Sequence, residues 1–208
     1  MKYKLIIFDF DGTLADTFPW FMNKADILAD KFKFKRLDME NLEQLRWLDA
    51  KQMIKQHGVS LWKLPLIANF IQKELAKDIQ HINLFKGMDL LLERLAQAGA
   101  RLVVVTSNSK DNVHQVLGSK NAALFSDFEC GVSVFGKQGK FRKMLRKYGL
   151  QPGEAICIGD EIRDIQAAKK AHIPSGVVSW GYTSVQALLA LAPDEVFFNV
   201  EEIFEKIV

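Results

Sequence analysis

From Gly87 to the C-terminus, short apolar runs alternate with stretches of helical periodicity, and this alternation limits the fold more than any other feature. A helix is predicted over Met88–Ala98 and stops at Gly99, a residue that accepts the left-handed conformation of a helix end. The strand Leu102–Thr106 follows, then a helix from about Lys110, a short strand near Glu129–Val134 and a basic amphipathic helix at Phe141–Tyr148. The pattern continues with strand Ala155–Ile158, helix Ile162–Ala171, strand Gly176–Ser179, helix Val185–Leu191, strand Glu195–Phe198 and helix Glu201–Ile207. Strands separated by helices of this length pair in parallel, with helices over both faces of the sheet. Right-handed crossovers then bring the C-terminal ends of all the strands to one edge. The first run, Lys4–Phe8, reads as a central strand of the same sheet, because it is apolar without interruption and ends at a glycine turn.

Between that strand and Gly87 the pattern changes. From about Phe18 to Gln80 apolar residues recur at helical spacing, as Ile27, Leu28 and Phe32, then Leu42, Leu45, Leu48 and Met53, then Leu66, Ile67, Phe70, Ile71 and Leu75. No strand-like run interrupts them. Pro65 belongs at the start of the third helix, where a missing N–H costs nothing. An all-helical segment inserted into an α/β domain is the expected organisation, with residues 1–17 and 84–208 forming the core and 18–83 the insertion.

Bulk properties narrow the function classes. The 208 residues are 49% apolar and 25% charged, enough for a core that needs neither disulfide nor structural metal. Net charge is only +3, and the densest basic stretch, Lys137 to Lys147, alternates with apolar residues as a solvated helix face does. Nucleic-acid binding is therefore not expected. Cys130 and Cys157 lie in apolar surroundings and read as reduced thiols. Asp9 and Asp11 cut off the first apolar run, so no secretory segment or membrane span is expected there and the protein is expected to be cytoplasmic. The sequence leaves a monomer and a homodimer equally open.

Open α/β sheets bind ligands outside the C-terminal ends of their strands. Asp9, Asp11, Gly12 and Thr13 follow the first strand, and Thr106, Ser107, Asn108 and Ser109 the second. Gly159, Asp160, Glu161 and Asp164 follow Ala155–Ile158. Carboxylates converging from two strand ends can hold a hard divalent cation, which would offset their repulsion toward a phosphate. One carboxylate left facing phosphorus can serve as a nucleophile. Hydroxyl and N–H donors at a helix N-terminus suit phosphate oxygens, and a lysine there would stabilise charge during phosphoryl transfer.

Asp-Phe-Asp-Gly-Thr-Leu-Ala-Asp-Thr after the first strand, Val-Thr-Ser-Asn in the middle and Gly-Asp-Glu-Ile-Arg-Asp near the end resemble the haloacid dehalogenase-like superfamily. More narrowly, the order and spacing resemble its phosphoglycolate phosphatase-like branch over the whole chain. The resemblance implies a Rossmann-like α/β core with an inserted helical cap domain, and a Mg2+-dependent phosphatase acting on a small phosphorylated metabolite. It implies Asp9 as nucleophile and metal ligand, and Asp11 as general acid and base with its backbone carbonyl on the metal. Ser107 and Asn108 match the phosphate-binding motif, and Asp160 and Asp164 the remaining metal ligands. For the phosphate-binding lysine both Lys137 and Lys140 are available. Lys137 is favoured, because it follows the apolar run Val132–Phe135 and precedes a helix as the family's lysine does.

Other readings of single residues stand beside these. Ser107 could cap the following helix, and Glu161 could be an acid favoured by a helix dipole. The four histidines, His57, His81, His114 and His172, do not cluster at ligand spacing. Trp20, Phe21, Trp47 and Trp62 are expected mostly in the core of the inserted segment. Arg46 is either a contact for a substrate carboxylate or part of a solvated face. Ala15–Phe18 and Leu84–Gly87 are the expected hinges. A sugar phosphomutase on the same scaffold, and more remotely a non-catalytic phosphate-binding protein, are the rival functions. The retained Asp11 argues against a dehalogenase, and the lack of an evident lysine motif in the cap argues against a phosphonate hydrolase.

Overall fold

The computed structural model describes residues 1–133 and 136–208. Its centre is a six-stranded, wholly parallel sheet of β1 (Leu5–Phe8), β2 (Arg101–Val105), β3 (Phe125–Glu129), β4 (Ala155–Gly159), β5 (Ser175–Val178) and β6 (Glu195–Phe197). The spatial order is β3-β2-β1-β4-β5-β6. The chain builds outward from β1 on one side, then returns across it to β4 and builds outward on the other. That reversal leaves a crevice at the C-terminal ends of β1 and β4, where this class of sheet binds ligands.

Alternate residues of β1, β2 and β4 divide between two layers, as strand geometry requires. Ile6, Phe8, Leu102, Val104, Ile156 and Ile158 pack on one face with Leu92 and Leu95 of α5 (Met88–Gln97), Val113 of α6 (Lys110–Ala122) and Ile203 of α10 (Glu201–Ile207). Leu5, Ile7, Val103, Val105, Ala155 and Cys157 pack on the other face with Phe141 and Met144 of α7 (Lys137–Tyr148) and Ala168 of α8 (Ile162–Ala171). Both faces of β1 are thus sealed, which explains its uninterrupted apolar sequence. Burial at about 25 cal/mol per Å2 makes these two layers the main source of stability.

Residues 18–82 hold α1 (Phe18–Phe32), α2 (Leu42–Leu45), α3 (Ala50–Gln56) and α4 (Leu64–Lys77), with short 3-10 turns and no strand. Pro65 falls in the first turn of α4. The second expected helix is broken in two, because Asp49 caps α3 through the Gln52 N–H while the Gln52 amide oxygen accepts from Asp49 N. Bridges of Asp11 to Ala15 and of Ala15 to Leu84 bring the two connecting segments side by side. Trp20 packs against the main core cluster, whereas Trp47 and Trp62 are 49% and 70% exposed, so these two are not core residues of the insertion.

Two expectations in the α/β part are displaced. The strand placed near Glu129–Val134 is β3 at Phe125–Glu129, and Val134 lies outside the described residues. β3 is an edge strand with one open side, so Ser126, Asp127 and Glu129 are tolerated and its apolar pattern is weak. The basic helix begins at Lys137 instead of Phe141. Among the described residues no helix is long and apolar enough to cross a membrane.

Candidate active site

The loop after β1 begins with Asp9, buried at the mouth of the crevice. Its Oδ1 accepts from the Phe10 N–H at 2.8 Å, and its Oδ2 lies 2.7 Å from the Lys137 ammonium yet has no hydrogen bond of good geometry. Two residues on, Gly12 turns the chain with φ +73°. A side chain at Gly12 would also collide with Asp160, since its Cβ would stand 2.3 Å from Oδ2. Both the conformation and the close approach require glycine.

From the end of β4 comes Asp160, fully buried, with Oδ1 accepting from the Thr13 hydroxyl at 2.8 Å and Oδ2 from the Tyr182 N–H at 2.8 Å. Asp164, in the first turn of α8, accepts from Glu161 N at 3.1 Å and pairs with Lys137 at 2.5 Å. Ligand oxygens of Asp9, Asp160 and Asp164 lie within 4.8 Å of one another, and this is the only such acidic or histidine/cysteine group among the described residues.

Asp11 is half-buried and faces the loop after β2. The Asn108 amide donates to both of its carboxylate oxygens, at 3.0 and 3.2 Å. The amide is held in that orientation because its own oxygen accepts from Ser109 N at 2.8 Å and from the Asn112 amide at 3.0 Å. Ser107 is half-buried beside Asn108, and its carbonyl accepts from Gln72 of α4 at 2.7 Å. The cap of α6 is Ser109, not Ser107, since Asn112 N donates to the Ser109 hydroxyl.

Lys137 is brought to the acidic group and is 3% exposed, so the first lysine of the basic helix departs from the solvated face expected for that stretch. Lys140 pairs with Glu129 at 2.8 Å, away from Asp9. Glu161, half-buried, pairs with Arg163 at 2.5 Å. The histidines are absent from the site, and both cysteines are free.

The electrostatics follow from burial. Desolvation pushes the Asp9 carboxyl up to about 7, with the Asp164 charge adding to the rise and Lys137 opposing it. Burial, with Glu161 and Asp9 as like charges, pushes Asp160 well above the usual carboxylate range. Burial also raises Asp11 against the opposing Asn108 hydrogen bond. Lys137 is disfavoured by its burial, yet the Asp164 and Asp9 carboxylates outweigh that and hold it above the ordinary lysine value. Buried oxygens crowded this closely, with Asp9 Oδ2 held only by its ion pair to Lys137, form a donor set suited to a hard divalent cation.

Arg46 departs from the solvated face expected of it. Its guanidinium donates to the carbonyls of Gly181 and Tyr182 at 2.9 and 3.0 Å, and therefore meets the core loop instead of solvent. Sequence reasoning also passed over Tyr182 and Asn112. Tyr182 follows β5, and the rule that located the other clusters, polar residues after a strand, would have reached it. Asn112 carries no such signal, since its role depends on the Asn108 amide it faces.

The haloacid dehalogenase-like hydrolase pattern matches residues 6–178. A phosphoglycolate phosphatase of Synechococcus elongatus is 30% identical over 190 residues, covering 91% of this chain and 90% of that protein. The crystal structure of a predicted phosphatase from Clostridium acetobutylicum superposes with a TM-score of 0.81 at 24% identity, covering 100% of this chain and 99% of that one. CbbY of Rhodobacter sphaeroides, solved in complex with phosphate, gives a TM-score of 0.72 at 21% identity over 97% and 96% of the two chains. At these identities the two structures speak for the fold alone.

Proposed function

Because this chain belongs to the haloacid dehalogenase-like hydrolase family, we infer that it is a phosphatase of small phosphate monoesters, acting through a phosphorylated Asp9 with Mg2+ as cofactor. The observation that carries the reading is the state of Asp9. It is buried at the mouth of the crevice, two residues before Asp11, with Lys137 at 2.7 Å and one oxygen free of hydrogen bonds. The naming of the Synechococcus relative supports a substrate of the phosphoglycolate type.

Residues 18–83 act as a cap over the crevice in this reading, and 1–17 with 84–208 as the catalytic core. Asp9, Asp160, Asp164 and the carbonyl of Asp11 would hold the cation. When bound, Mg2+ supplies positive charge that offsets the repulsion between the carboxylates and the substrate phosphate. The chain's own residues then divide the work. An oxygen of Asp9 attacks phosphorus in line and the ester oxygen leaves. Asp11, whose burial raises its affinity for protons, donates one to that oxygen. Asp11 then removes a proton from water, which attacks the phosphoryl-aspartate and releases phosphate. Lys137, Ser107 and the Asn108 region bind the phosphoryl oxygens. Asn108 also keeps Asp11 aimed, through its paired hydrogen bonds.

The test is phosphate release from a panel of monoesters with Mg2+ and with chelator. The reading requires turnover in Mg2+ alone and its loss in Asp9→Asn. A folded, Mg2+-loaded protein that turns over none of them would refute it.

A further inference from the structure

The loop of residues 179–184 touches the inserted helices on one side and a carboxylate of the acidic group on the other. Three contacts tie it to the segment around Arg46. The guanidinium donates to Gly181 O and Tyr182 O, and Ser184 N donates back to Arg46 O at 2.9 Å. Glu43 holds the guanidinium from the far side at 2.9 Å, and the guanidinium carbon of Arg46 lies 5.4 Å from the centre of the Phe18 ring. The Tyr182 ring packs edge-on against Phe18 and Phe21 of α1, with its hydroxyl 3.0 Å from the Thr17 hydroxyl.

On its inner side the loop lies directly on Asp160. A Cβ at Gly181 would stand 2.2 Å from Asp160 Cβ. The decisive unit is the single peptide between Gly181 and Tyr182. Its carbonyl accepts from Arg46 at 2.9 Å, and its N–H donates to Asp160 Oδ2 at 2.8 Å. The peptide is rigid and planar, so fixing one end fixes the other. A cation on the carbonyl also polarises the N–H and strengthens its donation.

Resting on the metal reading above, we propose that Arg46 is a positioning residue for the divalent cation. Docking of the cap on residues 181–184 holds Asp160 in its ligating orientation through the Gly181–Tyr182 peptide. Groups that orient metal ligands commonly change affinity by 10–100-fold, and Arg46 acts one bond network further out. Coupling of this kind is reciprocal, so cation binding must also tighten the docked cap.

Mg2+ titration of wild type, Arg46→Met and Arg46→Lys by calorimetry, without substrate, tests this. Affinity falls about tenfold in Arg46→Met and by a smaller factor in Arg46→Lys, whose single ammonium cannot span both carbonyls. Hydrogen exchange gives the reciprocal readout: Mg2+ slows exchange of the Ser184 N–H in wild type and leaves it unchanged in Arg46→Met. Equal affinity in wild type and folded Arg46→Met overturns the inference alone, as does equal slowing in both. Should Arg46→Met fail to fold, equal affinity in Arg46→Lys overturns it. Absence of Mg2+ binding in wild type overturns the metal reading together with this inference.

Discussion

Asp9→Asn should stabilise the metal-free protein above pH 7 while abolishing its activity. Asp9 titrates at about 7 in the fold against an ordinary value of 3.8. A carboxyl raised in this way stabilises the folded state fully below its unfolded value, and that contribution is lost as pH rises through the folded value. A rise of roughly three units at about 1.4 kcal/mol each amounts to about 4 kcal/mol lost between pH 4 and 7. Asparagine keeps the shape and the bond from Phe10 N, but it turns N–H hydrogens toward Lys137 and forfeits about 1–2 kcal/mol. A net gain of about 2 kcal/mol should remain at pH 8, and it should reverse to a net loss of about 1 kcal/mol toward pH 4, where only the amide's cost is left. Urea unfolding in chelator at a series of pH values measures it, as the difference between the two proteins. Burial raises Asp11 in both proteins, whereas the Asp9 charge helps hold Asp160 high, so its removal also relieves Asp160 and adds to the gain at pH 8. Parallel pH profiles, or an Asp9→Asn protein less stable at pH 8, would refute the reasoning.

Three further outcomes follow from the same geometry. Lys137→Met strands Asp9 and Asp164 without their shared buried cation, so the metal-free protein should lose about 3–5 kcal/mol near neutrality, read by thermal unfolding. Gly159→Ala sets a Cβ 2.4 Å from Asp164 Oδ2. It should lower Mg2+ affinity by about tenfold or more in calorimetry while costing about 1–3 kcal/mol of stability. Because Asp9 and Asp160 bind protons more readily than free carboxylates, Mg2+ affinity should rise as pH climbs through about 7, with proton release seen by titration in buffers of different ionisation enthalpy.

The sheet and the acidic group were legible because their signals are local. An apolar strand followed by carboxylates needs no knowledge of the rest of the chain, and Asp9, Asp160 and Asp164 meet where parallel topology says they must. β3 was misplaced for a physical reason: an open edge tolerates Asp127 and Glu129, so hydrophobicity marks it poorly. The choice of Lys137 over Lys140 became a matter of geometry only when α7 was seen to start at Lys137. Arg46 was beyond reach because its partners are backbone carbonyls distant in sequence, and a carbonyl has no sequence signature. Trp47 and Trp62 misled for the opposite reason, since tryptophan suggests a core and here both stand largely exposed.

The central claim is that Asp9 becomes covalently phosphorylated. Asp11→Asn offers the most direct test, with para-nitrophenyl phosphate carrying radiolabelled phosphate as substrate. Its leaving group needs no protonation, so the first step proceeds without Asp11, whereas water attack lacks its base. Acid quench after mixing with Mg2+ should find label on the protein, approaching one per chain, sensitive to hydroxylamine and recovered in the peptide that contains Asp9. Phosphate release without any protein-bound label, or label on another residue, would contradict the account.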